Sequence, residues 1–242
     1  MKLRLLVLIP LLSLFQLADA QVFWSEDFDG TPCAAGSGCD PSIVGWTVVS
    51  TGAEGGDANR WYVSDTESGM LPPACGTAGQ NDQSLHVGNV PTSAAAGIFC
   101  PTGDCGAAYD DSGPGEVTNK RAESPVINCT GQANITVDFN YIENGAGSLD
   151  DCSFWYFDGA TWANLDPIAK TPTGCAPQGQ WTAIASVALP ASANGNPNVQ
   201  IGFLWVNDGA GSASDPSFAV DDITLTNNTP GSITASFSAS DS

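Results

Sequence analysis

The side chains best suited to chemistry in this chain are carboxylates. Two of them, Asp221 and Asp222, sit side by side in "FAVDDITL" (218–225), with apolar residues on either hand. Side chains alternate between the faces of a strand, so in any regular register one of the pair shares a face with Phe218 and Val220 or with Ile223 and Leu225. A carboxylate held among such residues without a partner is costly. The strand is therefore either an exposed edge or has a cation beside it. Strand phase puts Asp221 with Ile223 and Leu225, hence inward, and Asp222 toward solvent. Basic residues are scarce, which favours a metal. Calcium suits such a site, because it takes about six to eight oxygen ligands from segments far apart in sequence.

Other candidates carry weaker signals. "NDGAGSASD" (Asp208, Asp215) and "NGAGSLDD" (Asn144, Asp150, Asp151) are acidic and glycine-rich but lack EF-hand spacing, so they read first as solvated turns. His86, the sole histidine, is in phase with Ser84 in "SLHVG", yet no G-x-S-x-G occurs, and a strand histidine of this kind reads as structural. No pair of acids has spacing that singles out a glycosidase, and no catalytic residue is assigned.

The eight cysteines, Cys33, Cys39, Cys75, Cys100, Cys105, Cys129, Cys152 and Cys175, imply four disulfides in an exported chain. Cys33 with Cys39 and Cys100 with Cys105 would close small loops, and Cys152 with Cys175 would tie a strand to the following loop. Cys75 and Cys129 then remain for each other. Without a C-x-x-C, neither zinc nor thiol redox chemistry is expected.

Export is read from residues 1–20. Lys2 and Arg4 precede the apolar run "LLVLIPLLSLF", and "ADA" (18–20) has the small residues of a cleavage site, which together form a signal peptide. Removing Lys2, Arg4 and Asp19 from six basic and 26 acidic residues leaves four (Arg60, Lys120, Arg121, Lys170) against 25, a formal charge of −21. Nucleic acid and anionic membranes are poor partners for such a chain, and cations are good ones. No later segment is long and apolar enough to insert in a bilayer.

Several elements are available to position these groups. "ANITVDFNYIE" alternates Ile135, Val137, Phe139 and Tyr141 with polar residues, the pattern of a strand with one buried face. "GWTVVST", "RWYVSD", "QSLHVGN", "RAESPVI", "CSFWYFDG", "WTAIASVALP" and "VQIGFLWVND" are similar, and glycine- and asparagine-rich turns separate them. With no amphipathic helix after the signal peptide, the fold class is all-β, a two-sheet antiparallel jelly-roll β-sandwich over 21–228. Trp46, Trp155, Trp181 and Trp205 lie within strands and belong to its core. Trp24, Trp61 and Trp162 are nearer strand ends and are the candidate platforms for a sugar ring. Residues 229–242 open with Thr-Pro-Gly and end in one unpartnered alternating strand, Ile233, Ala235 and Phe237, which reads as the start of a second β-domain.

The order "EDFDG", "GW", "NRWYV", "QSLHVG", "TNKRAESPVINCTGQANITVDFNYIENG", "WYFDGATW" and "PSFAVDDITL" resembles the jelly-roll modules of type IX secretion substrates, relatives in fold of gingipain cleaved-adhesin and MAM domains. The tail "TASFSASDS" resembles the first strand of a PKD-type repeat. The resemblance implies a non-catalytic, secreted or cell-surface adhesion module that binds carbohydrate or a surface protein, with further domains C-terminal to it. It also implies calcium between the N-terminal segment and the last strand. Carried onto this chain, the ligands would be Glu26 and one of Asp221 and Asp222, with Asp29 and Asp57 as looser candidates. A glycan-active hydrolase on the same fold and a structural spacer or assembly subunit are the alternatives.

Overall fold

A computed structural model describes residues 20–33, 38–67, 72–76, 82–89, 104–147, 149–172, 175, 179–211 and 215–229. The expected signal peptide, up to residue 19, and the expected second domain, from residue 230, lie outside them. Among the described residues, eleven strands form the expected antiparallel sandwich. In one sheet the order is β3 (Arg60–Ser64), β4 (Ser84–Gly88), β11 (Phe218–Asn227), β6 (Ile135–Glu143) and β9 (Thr182–Ala188), with β1 (Gln21–Glu26) also paired to β11. In the other it is β2 (Thr47–Ser50), β5 (Thr118–Glu123), β10 (Gln200–Asn207), β7 (Asp151–Phe157) and β8 (Trp162–Asn164). No helix among the described residues is long and apolar enough to cross a membrane.

The core follows from alternation. Val137, Phe139 and Tyr141 of β6 face Phe154 and Tyr156 of β7 and Ile201, Phe203 and Trp205 of β10. Phe203 is the hub, with ring centroids 5.3 Å from Phe139, 5.5 Å from Phe154, 5.4 Å from Phe218 and 6.3 Å from Trp46. Trp46, Trp181 and Trp205 are fully buried, as expected. Trp155 is not a core residue: its partners across the ladder are Gly202 and Asn164, and it shares the solvent-facing side of the second sheet with them. Trp61, expected as an exposed platform, is 3% exposed, packs edge-on against Phe218 and donates its indole N–H to the Lys120 carbonyl. The reason is that both faces of β3 are covered, so four of its five residues are buried and no alternation reveals which way Trp61 points.

Two disulfides are defined, Cys33–Cys39 as expected and Cys75–Cys175, which corrects the pairing. Cys75 lies in a segment that runs antiparallel to Gly179–Trp181, with Gly76 N–H donating to Gly179 O and Trp181 N–H to Ala74 O, and this brings it to Cys175. The link closes a loop of 100 residues, for which chain entropy contributes about 4.7 kcal/mol. Cys105 is also disulfide-bonded, and its expected partner Cys100 lies outside the described residues. Cys129 and Cys152, expected to pair with Cys75 and Cys175, are free, buried thiols that pack in the core. Cys152 is level with Trp205 on β10, whereas Cys129 follows the bridge from Ile127 to Val199, six positions away and so about 20 Å along the strand. They cannot reach one another. Burial pushes the Cys129 thiol up to about 11 and the Cys152 thiol upward too, which keeps both protonated. Thiol titration of the full chain should accordingly find no reactive cysteine in native buffer and two in denaturant.

Candidate metal centre

β11 passes through three environments. Ala219 and Val220 pair with β4, Ile223 to Asn227 pair with β1, and β6 runs along the other side. The changeover falls on the two acids. A β-bulge interrupts the β6 ladder between Asp221 and Thr224, and Asp222 takes a left-handed conformation, φ 52°, which Asp tolerates better than most residues. The extra residue inverts the strand's phase. Phe218 and Val220 face the core before the bulge, and Ile223 and Leu225 face it after.

Asp221 therefore does not share a face with Ile223 and Leu225, as regular alternation requires. It stands opposite Asn140, on the outer side of the sheet, yet it is only 1% exposed. Its Oδ1 accepts the Asp222 N–H at 2.7 Å, and the Asp222 carboxylate accepts from Asn140 Nδ2 at 2.9 Å. Burial, then the charges of Asp222, Asp82 and Asp29, push the Asp221 carboxyl up to about 9. Burial together with Asp29, Asp222 and Asp27 lifts Asp82 to about 6. Asp29 is fixed by its own backbone N–H on Asp27 Oδ1 and by accepting the Gln83 N–H. Three distant segments (27–29, 82 and 221–222) thus carry carboxylates whose charges act on one another. Among the described residues no Lys or Arg forms an ion pair with any of the five.

Glu26 does not belong to this group. It stands opposite Ile223, whose side is the core side, and its carboxylate accepts from the Phe28 N–H at 3.0 Å and the Trp46 indole at 3.3 Å. Burial raises its proton affinity against those two bonds. Asp57 is remote as well. It precedes Arg60, whereas Asp82 adjoins the Ser64–Ser84 pair at the opposite end of β3. Asp82 and Asp27 were not singled out from sequence; only their places in the turn after β1 and just before β4 distinguish them from other acids.

A second acidic group lies at the end of the sandwich where the 110s, 140s and 208–210 loops meet. One oxygen from each of Asp111, Asp150 and Asp208 falls within 4.8 Å of the others, beside an open cleft of about 340 Å³ that Ala146, Gly147 and Leu149 also line. Asp111 accepts from Asn207 Nδ2 and Gly209 N–H, and Asp150 from Asp208 N–H and the Tyr109 hydroxyl. Burial raises the Asp150 carboxyl, those two bonds lower it, and the charges of Asp111 and Asp208 raise it again. Two of the loops expected as solvated turns therefore converge. The third carboxylate, Asp111, lies in one of the glycine-rich turns between strands, "DDSGPGE" (110–116).

Of the candidate platforms, Trp24 is half-buried against the core and Trp162 stands on the outer face of the second sheet. The Arg121 guanidinium lies 3.9 Å from the Trp162 ring and 5.7 Å from that of Trp155, and it is held by Glu123 at 2.8 Å. Gly202 makes room for this stack, since a Cβ there would come within 3.0 Å of Arg121 Cδ and 3.1 Å of Trp162.

No protein-family model matches the chain, and no curated protein is significantly similar to it. Among solved structures, the K1 and K3 cleaved adhesin domains of Lys-gingipain from Porphyromonas gingivalis W83 are similar to it at 15% identity, each over 85% of this chain and 98% of the domain. The TM-score is 0.41 for both, too low for any property of those domains to be transferred to this chain.

Proposed function

We propose that this chain is a non-catalytic, calcium-stabilised adhesion or ligand-binding module of a secreted, cell-surface protein. In this reading residues 1–20 direct export, 21–228 form the module, and 229–242 lead into further domains. The observation that supports a metal at the last strand is Asp221, a buried carboxyl on which the charges of Asp222, Asp82 and Asp29 act and with which, among the described residues, no Lys or Arg pairs. Every donor offered is oxygen, from segments far apart in sequence, and this is the ligand set of a hard divalent cation. Bound there, calcium would supply the missing positive charge and tie the residues that follow β1 to the last strand. Among the described residues, Asp111, Asp150 and Asp208 are the set whose oxygens lie close enough together to hold one directly.

The surface offered to a carbohydrate or protein partner is the outer face of the β2-β5-β10-β7-β8 sheet, where Trp155, Trp162 and Arg121 stand among Glu123 and Asn164. Indole faces stack on the CH side of a sugar ring, and the flanking polar groups can bond its hydroxyls. A hydrolytic reading has no comparable support. The trio that most resembles a catalytic one, Ser84, His86 and Asp104, is buried throughout, at 0%, 0% and 2% exposure.

Three outcomes are expected. Thermal unfolding of the full chain should shift upward when calcium replaces chelator. Free calcium at ~100 times Kd adds about 2.7 kcal/mol, on the order of 5–10 °C for a domain of this size. Asp221→Asn should abolish most of that shift while leaving the chelated protein as stable as the parent or more so; an unchanged midpoint in the parent would remove the metal. The second concerns pH. Asp221 and Asp82 hold their protons to about 9 and about 6, above the unfolded 3.8, so between those limits the folded state binds more protons. Without metal, stability should fall as pH rises from 5 to 8, and calcium should flatten that fall. The third is that Trp162→Ala lowers binding on a glycan or surface-protein array at least tenfold, with the calcium-dependent shift intact.

A further inference from the structure

His86 is the only histidine of the chain and is completely buried on β4, level with Tyr62 on one neighbour and Ala219 on the other. Both ring nitrogens are engaged. Nε2 lies 2.9 Å from Asp104 Oδ1, and Nδ1 lies 3.2 Å from Ser84 Oγ. The protonation state follows from what those partners can do. Asp104 already accepts the Gly106 N–H on Oδ1 and the hydroxyls of Ser64 and Thr66 on Oδ2, so it is an ionised, acceptor-only carboxylate and Nε2 must carry a hydrogen. Ser84 Oγ also bonds the backbone carbonyl of Glu67. A carbonyl cannot donate, so the single hydroxyl hydrogen of Ser84 points there, and toward Nδ1 its oxygen can only accept. Nδ1 must carry a hydrogen as well.

We infer that His86 is a doubly protonated imidazolium at neutral pH, a buried cation that fastens the turn at Asp104–Gly106 and the Ser64–Glu67 segment to β3 and β4. One charge serves two chain segments through Asp104, Ser84 and the hydroxyls of Ser64 and Thr66. The other ionisable groups facing it fit this role. Glu67, 1% exposed and with no hydrogen bond on Oε1, adds negative charge nearby as it ionises; burial pushes it up to about 7 and His86 pulls it down. Asp215 acts through Glu67, and the Tyr62 hydroxyl, bonded to Asn89 O, stays neutral because burial pushes it up to about 12. For His86 itself burial opposes the charge, and the charge and hydrogen bond of Asp104 outweigh it, so its proton affinity is raised. Burial likewise opposes ionisation of Asp104, and the imidazolium outweighs that and holds the carboxyl below the ordinary range. An imidazolium cannot serve as a general base, so the likeness of Ser84, His86 and Asp104 to a nucleophilic triad carries no catalysis.

A histidine whose folded affinity for the proton exceeds its unfolded value stabilises fully below the unfolded pKa and loses that contribution as pH rises through the folded one. The latch therefore opens on the alkaline side. With the full chain labelled at histidine with 15N, two-bond 1H–15N correlation should show both ring nitrogens still protonated at pH 7, where a free imidazole is mostly neutral. A non-protonated ring nitrogen in the folded protein at or below pH 7 overturns the inference. Asp104→Asn should lower the ring's pKa by at least one unit, about tenfold in proton affinity. A ring pKa unchanged in that variant would show that the carboxylate does not hold the proton. Should the variant fail to fold, hydrogen exchange at Gly106 N–H in the parent decides. Protection should collapse at least tenfold across the same pH interval in which the ring loses its proton, and protection indifferent to that step overturns the latch.

Discussion

The constraint behind this architecture is the near absence of positive charge. A chain with six Lys and Arg residues against 26 acids cannot neutralise its carboxylates by pairing. Lys170 is shared between Glu143 and Asp151, Arg121 is taken by Glu123, and Lys120 lies near Glu54. Even beside Lys170, burial holds Glu143 up to about 8. Most acids are placed where the backbone can serve them. Asp27, Asp40, Asp110, Asp158, Asp166 and Asp208 each accept the N–H two residues on, the Asx geometry that starts a turn. Asp104 takes the histidine. Asp221 has no such arrangement beyond one neighbouring N–H, and burial beside other acids keeps its proton on it instead.

Much of the fold was legible because half-buried strands advertise themselves. β6, β7 and β10 alternate cleanly, and their inward residues make the core. β8 was not legible because three residues carry no period, and β1 because Phe23 and Trp24 are adjacent and its ladder to β11 is irregular at that point. The two faces of the sandwich also differ. Segments such as 104–109 cover the outside of the β11 sheet, so β3 and β4 are buried on both sides, and Trp61, which could have been a platform, is an internal residue. The outside of the other sheet is open, which left Trp155 on the surface although its strand reads as core.

The candidate site was legible in its centre and not in its surroundings. The pair of acids in "FAVDDITL" marked the right place, but the inference about their direction assumed an unbroken strand. A glycine would have announced the bulge; Asp222 occupies the left-handed conformation without one. Once the phase inverts, Glu26 falls on the far side with Trp46, and the companions of Asp221 come from a turn and a loop end that no local pattern connects. The grouping of Asp111 with Asp150 and Asp208 has the same origin, as do the cysteine pairs. These are contacts between distant segments, set by topology.

β11 also has a consequence in time. It is the last of the described strands, yet β1, β4 and β6 all pair with it. Until residues 218–227 have left the ribosome, the first strand has nothing to pair with and β4 lacks the neighbour on one side. Assembly is thus dominated by pairings between the two ends of the sequence, the class of topology that folds slowly because large loops must close before any contact rewards them. In a chain built this way β3–β4, β2–β5 and β7–β8 can pair early, whereas β1 is among the last strands to find its place.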